Sequence, residues 1–236
     1  MNEKTPQNSL SFEDLLSEVD SSPNADEPFP LAVHAARCSN CSHFRHGKCN
    51  LKHCCCMTDR IKAHSCSYSE VLDHCFSRIK DNVFHYRLHI LSDRVSSNKT
   101  FFLDSEHRKR FREGLALNRN GNPPNLAQIY LLSANERLWE RAKPFLTHNL
   151  LMLLKVSSVT DKTERDLLIL SNRFVFGAKV MEFEDIADGE VTDFDTFFLI
   201  CNSVLLSVYG EDVIRIAEHY KRRKRKKKQY RRQEDG

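Results

Sequence analysis

Thr192-Asp193-Phe194-Asp195-Thr196-Phe197-Phe198-Leu199-Ile200-Cys201-Asn202-Ser203-Val204-Leu205-Leu206-Ser207-Val208-Tyr209-Gly210 reads as a single helix with both ends marked. Thr192 and Asp195 stand at capping-box spacing. The interior is strongly apolar, and Gly210 is a good residue to follow the last helical turn. Cys201 lies among apolar neighbours and reads as a small buried hydrophobe. Downstream, another helix is expected from about Glu211, leading into a basic tail.

The neighbouring segments repeat the pattern. Asp104 or Ser105 can cap a helix through about Ala116, unless Gly114 ends it a turn early. Asn118–Asn125, with Gly121, Pro123 and Pro124, reads as a loop. Helices follow over Leu126–Ser133 and from Asn135, the latter ended or kinked by Pro144. Leu150–Leu154 is too apolar to be exposed, and its pattern fits helix or short strand. Thr160 or Thr163 caps a helix through Phe174. Trp139, Phe145, Phe174, Phe176, Phe197, Phe198, Leu205 and Leu206 are core candidates. His107 and Arg110, three apart, can form a polar site, but part of a solvated face is the favoured reading. With 7 Gly and 7 Pro in 236 residues, tight-turn β architectures are disfavoured. The fold class is mainly α, with residues 100–220 an all-helical domain.

From Ser67 to Val95 the helical spacing continues. Val71, Leu72, Cys75, Phe76, Ile79, Val83, Tyr86, Ile90 and Leu91 fall on one broad stripe, as one helix or two broken near Asp81-Asn82, with Ser96-Ser97-Asn98 a short linker. Residues 76–99 are therefore a connecting helix between the all-helical domain and what precedes it.

Residues 34–75 have a different composition. They hold eight of the nine cysteines and six of the eleven histidines. Cys38-Ser39-Asn40-Cys41 is the tight pair that presents two sulfurs to one tetrahedral ion, and Gly47 ahead of Cys49 permits the second tight turn such sites use. Cys54-Cys55-Cys56 follows. In an extended stretch Cys54 and Cys56 face one way and Cys55 the other. Cys38, Cys41, Cys49 and Cys54 are the main candidate ligands, with Cys56 the substitute fourth. Cys55, Cys56, His64 and Cys66, with Cys75 a further candidate, can complete a second site. Zn²⁺, one ion or two, suits all-thiolate ligation, and an iron–sulfur cluster is the less favoured alternative. Binding of this kind supplies ~10 kcal/mol or more of folding free energy to a segment with few large apolar side chains. A structural staple is the plain reading. Phosphate contact through Arg45, Lys48, Lys52 and Arg60 is the functional one.

Charge divides the chain. Ten of the twelve residues from Lys221 to Arg232 are Lys or Arg, while residues 1–220 keep 26 of the 36 basic and 30 of the 32 acidic residues, a body of −4. Lys221, Arg222, Arg223, Lys224, Arg225, Lys226, Lys227 and Lys228 form an unbroken basic run with no apolar stripe, suited to a phosphate backbone. A nuclear import signal or a solubilising tail are its other readings. Residues 1–33 read as a disordered acidic arm. Within it Phe12, Leu15, Leu16 and Val19 form a short amphipathic stripe, either packing on the body or docking in a partner groove, so residues 11–19 or the helical domain are the candidate protein-binding elements. No basic, apolar leader is visible and no run reaches the ~20 residues of a membrane span. The expectation is a protein of a reducing compartment, bacterial cytoplasm or, in a eukaryote, the nucleus, where clustered thiols indicate metal.

The Cys-x₂-Cys…Gly-x-Cys-x₄-Cys-Cys-Cys-x₃-Arg run ending at Arg60 resembles cysteine-rich modules of bacterial mobile-element and phage proteins. Residues 101–210 resemble small all-helical phage-type proteins through Phe102-Leu103 with His107 and Phe111, Tyr130-Leu131-Leu132-Ser133 with Trp139, and Tyr209-Gly210. The resemblance implies a source and a fold, but no activity. No glycine-rich phosphate loop, nucleophile elbow or His-Glu-x₂-His motif occurs, so the sequence favours binding over catalysis. The leading expectation is a metal-stabilised nucleic-acid-binding protein, and the second a protein adaptor, inhibitor or assembly factor with a purely structural metal.

Overall fold

The computed structural model describes residues 44–46, 48–50, 57–98, 100–118, 123–146, 161–176 and 186–217. Two two-residue strands, β1 (Phe44–Arg45) and β2 (Lys48–Cys49), precede a set of helices. These are α1 (Met57–Lys62), α2 (Tyr68–Cys75), α3 (Asn82–Asn98), α4 (Ser105–Leu117), α5 (Pro123–Ser133), α6 (Glu136–Leu146), α7 (Lys162–Phe176) and α8 (Phe194–Tyr209). Residues 212–217 are also helical. The described part is mainly α, as expected.

Helix α8 is the central element. Every residue from Phe197 to Leu206 is buried, because α8 packs on α5 along one side and meets α2 on another. A helix apolar on all faces is stable in water only with neighbours all round it. Helix α5, with Leu126–Ser133 buried throughout, is the second inner helix, and α4, α6 and α7 surround it. One apolar core runs from Met57 and Ile61 of α1 through Trp139 and Leu168 to Ala217. Helices α1 and α2, which lie within residues 34–75, and α3 thus share a core with the helices beyond residue 100.

Several element ends differ from expectation. The cap of α8 is Asp193, which accepts from the Thr196 N–H at 2.9 Å and its hydroxyl at 2.7 Å. Thr192 is buried instead. Asp161, not a threonine, caps α7 by accepting from the Glu164 N–H. Pro123, read as loop, begins α5, where a missing N–H costs nothing. Gly114 does not end α4. It sits at a close crossing where a Cβ would lie 2.5 Å from Ile129 Cγ2 and 2.9 Å from Trp139 Cη2.

The stripe over 67–95 resolves into two helices. Helix α2 opens with a reciprocal capping box, Glu70 N–H to Ser67 Oγ at 3.2 Å and Ser67 N–H to Glu70 Oε2 at 2.6 Å. It stops at Cys75, and Asp81 caps α3 by accepting from the Phe84 N–H at 2.7 Å. Ser96-Ser97-Asn98 belongs to α3 rather than to a linker. The break also changes the buried face. Val71, Leu72, Cys75, Phe76 and Ile79 are buried as expected, but α3 buries Phe84, Arg87, Leu88, Leu91 and Val95, leaving Val83, Tyr86 and Ile90 exposed. A stripe continued through the break carries the wrong phase, because six residues outside the helix need not rotate the chain by 100° each.

Candidate metal centre and basic hairpin

Strands β1 and β2 pair antiparallel, Phe44 opposite Cys49 and Arg45 opposite Lys48. Only positions 46 and 47 lie between them. Two-residue hairpins of this kind favour positive φ, and His46 has φ of +50°. The reversal returns Cys49 to the level of Phe44, and two residues of chain separate Phe44 from Cys41. One ion held by both Cys41 and Cys49 would need a chain reversal between them. Cys38, Cys41, Cys54 and Cys56 lie outside the described residues, as do Lys52 and the basic tail from Lys221 to Lys228. Among the described residues no three His, Cys, Asp or Glu side chains gather as a metal site.

The same register sets Arg45 directly across from Lys48, both exposed. Like charges paired across two strands repel. An anion between them removes that cost.

Arg60, expected on this basic face, departs from it. It is buried, pairs with Glu70 Oε1 at 2.7 Å and donates to the Ser65 carbonyl at 3.2 Å. Glu70 is held below the usual carboxylate range: its own burial works upward, and the hydrogen bonds from Arg60 and Ser67 outweigh it. Arg60 therefore braces the end of α1 against α2 and does not lie on an exposed basic face.

His64 and Cys66 flank that brace. The Ser65 N–H reaches back to the Arg60 carbonyl at 2.9 Å and the His64 N–H to the Ile61 carbonyl at 3.0 Å, a Schellman closure with His64 at the left-handed position, φ +53°. Glycine normally occupies that position. Cys66 packs partly against the core, and burial pushes its thiol up to about 12. Coordination to a cation would favour the thiolate against that burial. His64 and Cys66 are two residues apart and both partly buried, a donor pair that suits a second ion.

Cys75 and Cys201 are in the core, 2% and 0% exposed, and burial raises both thiols. They act as small hydrophobes. His107 and Arg110 are not a solvated face. His107 is fully buried, its Nε2 donating to the Tyr130 carbonyl at 3.0 Å and its Nδ1 accepting from the Leu103 N–H. Arg110 Nε donates to the Ser133 carbonyl at 2.7 Å. Together they satisfy carbonyls at the carboxyl end of α5.

Two arginines of α3 carry roles that the sequence pattern hides. Arg87, 8% exposed, donates to the carbonyls of Ile186, Ala187, Thr192 and Asp193 and lies 4.4 Å over the Phe197 ring. Arg94 pairs with Asp195 at 2.5 Å beside the Phe198 ring. Their only signal in the sequence is a basic residue one turn to either side of Leu91.

No helix among the described residues is long and apolar enough to cross a membrane. Compared with protein-family models, with curated proteins and with solved structures, the chain matches none.

Proposed function

We propose that this is a metal-stabilised nucleic-acid-binding protein, of phage or mobile-element type, in which zinc holds the cysteine-rich segment and phosphate is met by the hairpin and the carboxyl-terminal tail. The observation that carries the reading is the cross-strand pair Arg45 and Lys48, two exposed cations facing each other on a turn that leads into Cys49. Cys38, Cys41, Cys49 and Cys54 are the ligands assigned to the main ion, with Cys56 as alternate and His64 and Cys66 in a second. Zinc supplies cross-linking here in place of apolar burial. Lys52 and the run Lys221–Lys228 add cations whose binding releases counterions, so affinity falls steeply with salt.

Elemental analysis of the purified chain, followed by filter binding of a mixed-sequence oligonucleotide at two salt concentrations, tests it. Zinc is expected with each chain, and Arg45→Glu with Lys48→Glu is expected to weaken binding. Deletion of residues 221–236 is expected to flatten the salt slope. A metal-free chain that keeps its fold in strong chelator overturns the metal reading. Absence of binding at low salt overturns the nucleic-acid reading and leaves an adaptor or assembly factor with a structural ion.

A further inference from the structure

Four large apolar side chains stand out as exposed among the described residues, three of them on α3: Val83 at 55%, Tyr86 at 68% and Ile90 at 37%, with Val191 at 52% in the turn before α8. On α3, Val83, Tyr86 and Ile90 follow i, i+3, i+7 spacing and span an arc of about 60°. Arg87 and Arg94 border that arc on one edge, and the exposed His89–Asp93 pair borders it on the other. Through Arg87 the backbone of Ile186, Ala187, Thr192 and Asp193 is fastened along the first edge, which brings the turn carrying Val191 beside the strip.

That turn is acidic and held in place. Asp188, Glu190, Asp193 and Asp195 are exposed, four carboxylates against the two guanidiniums of Arg87 and Arg94. Asp188 accepts from the Glu190 N–H at 2.8 Å, Asp193 caps α8, and Asp195 meets Arg94. The charges are thus presented by a braced loop beside an apolar strip.

We propose that this face docks a cationic amphipathic helix of another protein, its apolar stripe against Val83, Tyr86 and Ile90 and its Lys or Arg flank against the 188–195 turn. Complementary charge selects this occupant. The chain's own amphipathic stripe at residues 11–19 carries Glu13, Asp14 and Glu18, the same sign as the turn. The basic run Lys221–Lys228 has the right sign but no apolar stripe. A second copy paired antiparallel about a two-fold sets the acidic turns against each other. Nucleic acid is repelled here, so this face and the Arg45–Lys48 hairpin take different partners.

The test uses the full chain, freed of nucleic acid, and a labelled helical model peptide with leucine at i, i+3, i+4 and i+7 and lysine elsewhere. Fluorescence anisotropy is expected to show binding that weakens with salt. Tyr86→Ser with Ile90→Ser is expected to reduce affinity about ten-fold, as for a central apolar anchor. Asp188→Asn with Glu190→Gln is expected to reduce it several-fold and flatten the salt dependence. All four positions are exposed, and circular dichroism verifies that both variants are folded. Absence of binding, or equal binding by the variants, overturns the proposal. So does equal binding of the peptide with glutamate for lysine or of a peptide of residues 9–21, which assigns the face to the acidic arm. A dimer dispersed by Tyr86→Ser assigns it to a second copy and overturns it likewise.

Discussion

The Tyr68 hydroxyl donates to Asn202 Oδ1 at 2.6 Å inside the core, joining α2 to α8 across 134 positions of sequence. The Asn202 amide reaches the Phe101 carbonyl at 3.5 Å, and Tyr130 donates its hydroxyl to the same carbonyl at 2.7 Å. Tyr130 in turn offers its own carbonyl to His107. A chain of buried polar groups therefore links α2, within the cysteine-rich residues 34–75, to α8, α5 and α4. Each member is costly to leave unmatched, since a buried polar atom without a partner loses its hydration and regains nothing.

Tyr68→Phe removes a donor and strands Asn202 Oδ1. A loss of about 1–3 kcal/mol is expected, read as a lower urea midpoint at unchanged slope. Combined with Asn202→Ala, the two losses should sum to more than the measured double-variant loss, because both act on one bond. Strict additivity would show that the bond contributes nothing.

Arg87→Met keeps much of the side-chain volume but withdraws the donors from four carbonyls of the 186–193 turn. Hydrogen bonds to a charged group contribute about 1.5–3 kcal/mol each when not compensated by water, so a loss of several kcal/mol, about 3 or more, is expected. Hydrogen exchange should accelerate first at the turn and the first turn of α8. Unchanged exchange there would contradict the bracing role. Arg87→Lys is expected to recover only part, because one ammonium cannot serve carbonyls on two sides.

Gly114→Ala tests the close approach of α4 to α5 and α6. Alanine improves helix propensity by about 1 kcal/mol, yet its Cβ meets Ile129 Cγ2 at 2.5 Å and Trp139 Cη2 at 2.9 Å. Overpacking of this kind costs about 1–3 kcal/mol, so net destabilisation is expected, and Ile129→Ala in the same chain should relieve part of it. A higher melting temperature for Gly114→Ala alone would refute the packing argument.

His107 sets a pH dependence. Burial drives its pKa from 6.5 down to about 3 in the folded protein, while the hydrogen bond from Nε2 to Tyr130 opposes the shift. Above pH 6.5 the ring is neutral in both states and contributes no slope. As pH falls from 6.5 toward 3 the unfolded chain takes up a proton that the folded one refuses, so stability declines, by up to about 1.4 kcal/mol per pH unit. His74, lowered by burial and by Arg60, acts in the same sense. His107→Gln retains a donor for the Tyr130 carbonyl and removes the titration. Urea midpoints at pH 7, 5 and 4 should therefore fall less steeply for the variant than for the parent.

Local chemistry was legible where it is local. Asp104 and Asn135 are capping residues whose partners lie three positions away, and Gly210 ends α8 through its own φ of +69°. Thr192 was a poor guide for the opposite reason. Thr192 and Asp193 both have cap chemistry, and the choice between them fell to Arg87, 105 positions upstream, which holds the Thr192 carbonyl at 2.6 Å. His107 and Arg110 look like surface residues until the end of α5, 23 positions later, presents its carbonyls to them. Within the candidate metal centre, cysteine spacing indicates thiolate chemistry, and Gly47 marks the turn that β1 and β2 form around it. The sequence did not reveal that Arg60 would be spent on Glu70.

What the amino-acid order determined alone was the mainly helical class, the inner position of α8 and the division between an acidic body and a basic tail, because composition, caps and apolar runs act within a few residues. Only the tertiary structure decided which face of α3 is buried and which arginines brace the core. Those outcomes depend on groups about a hundred positions apart meeting in space, and the phase of a helix after a break is set by what it packs against.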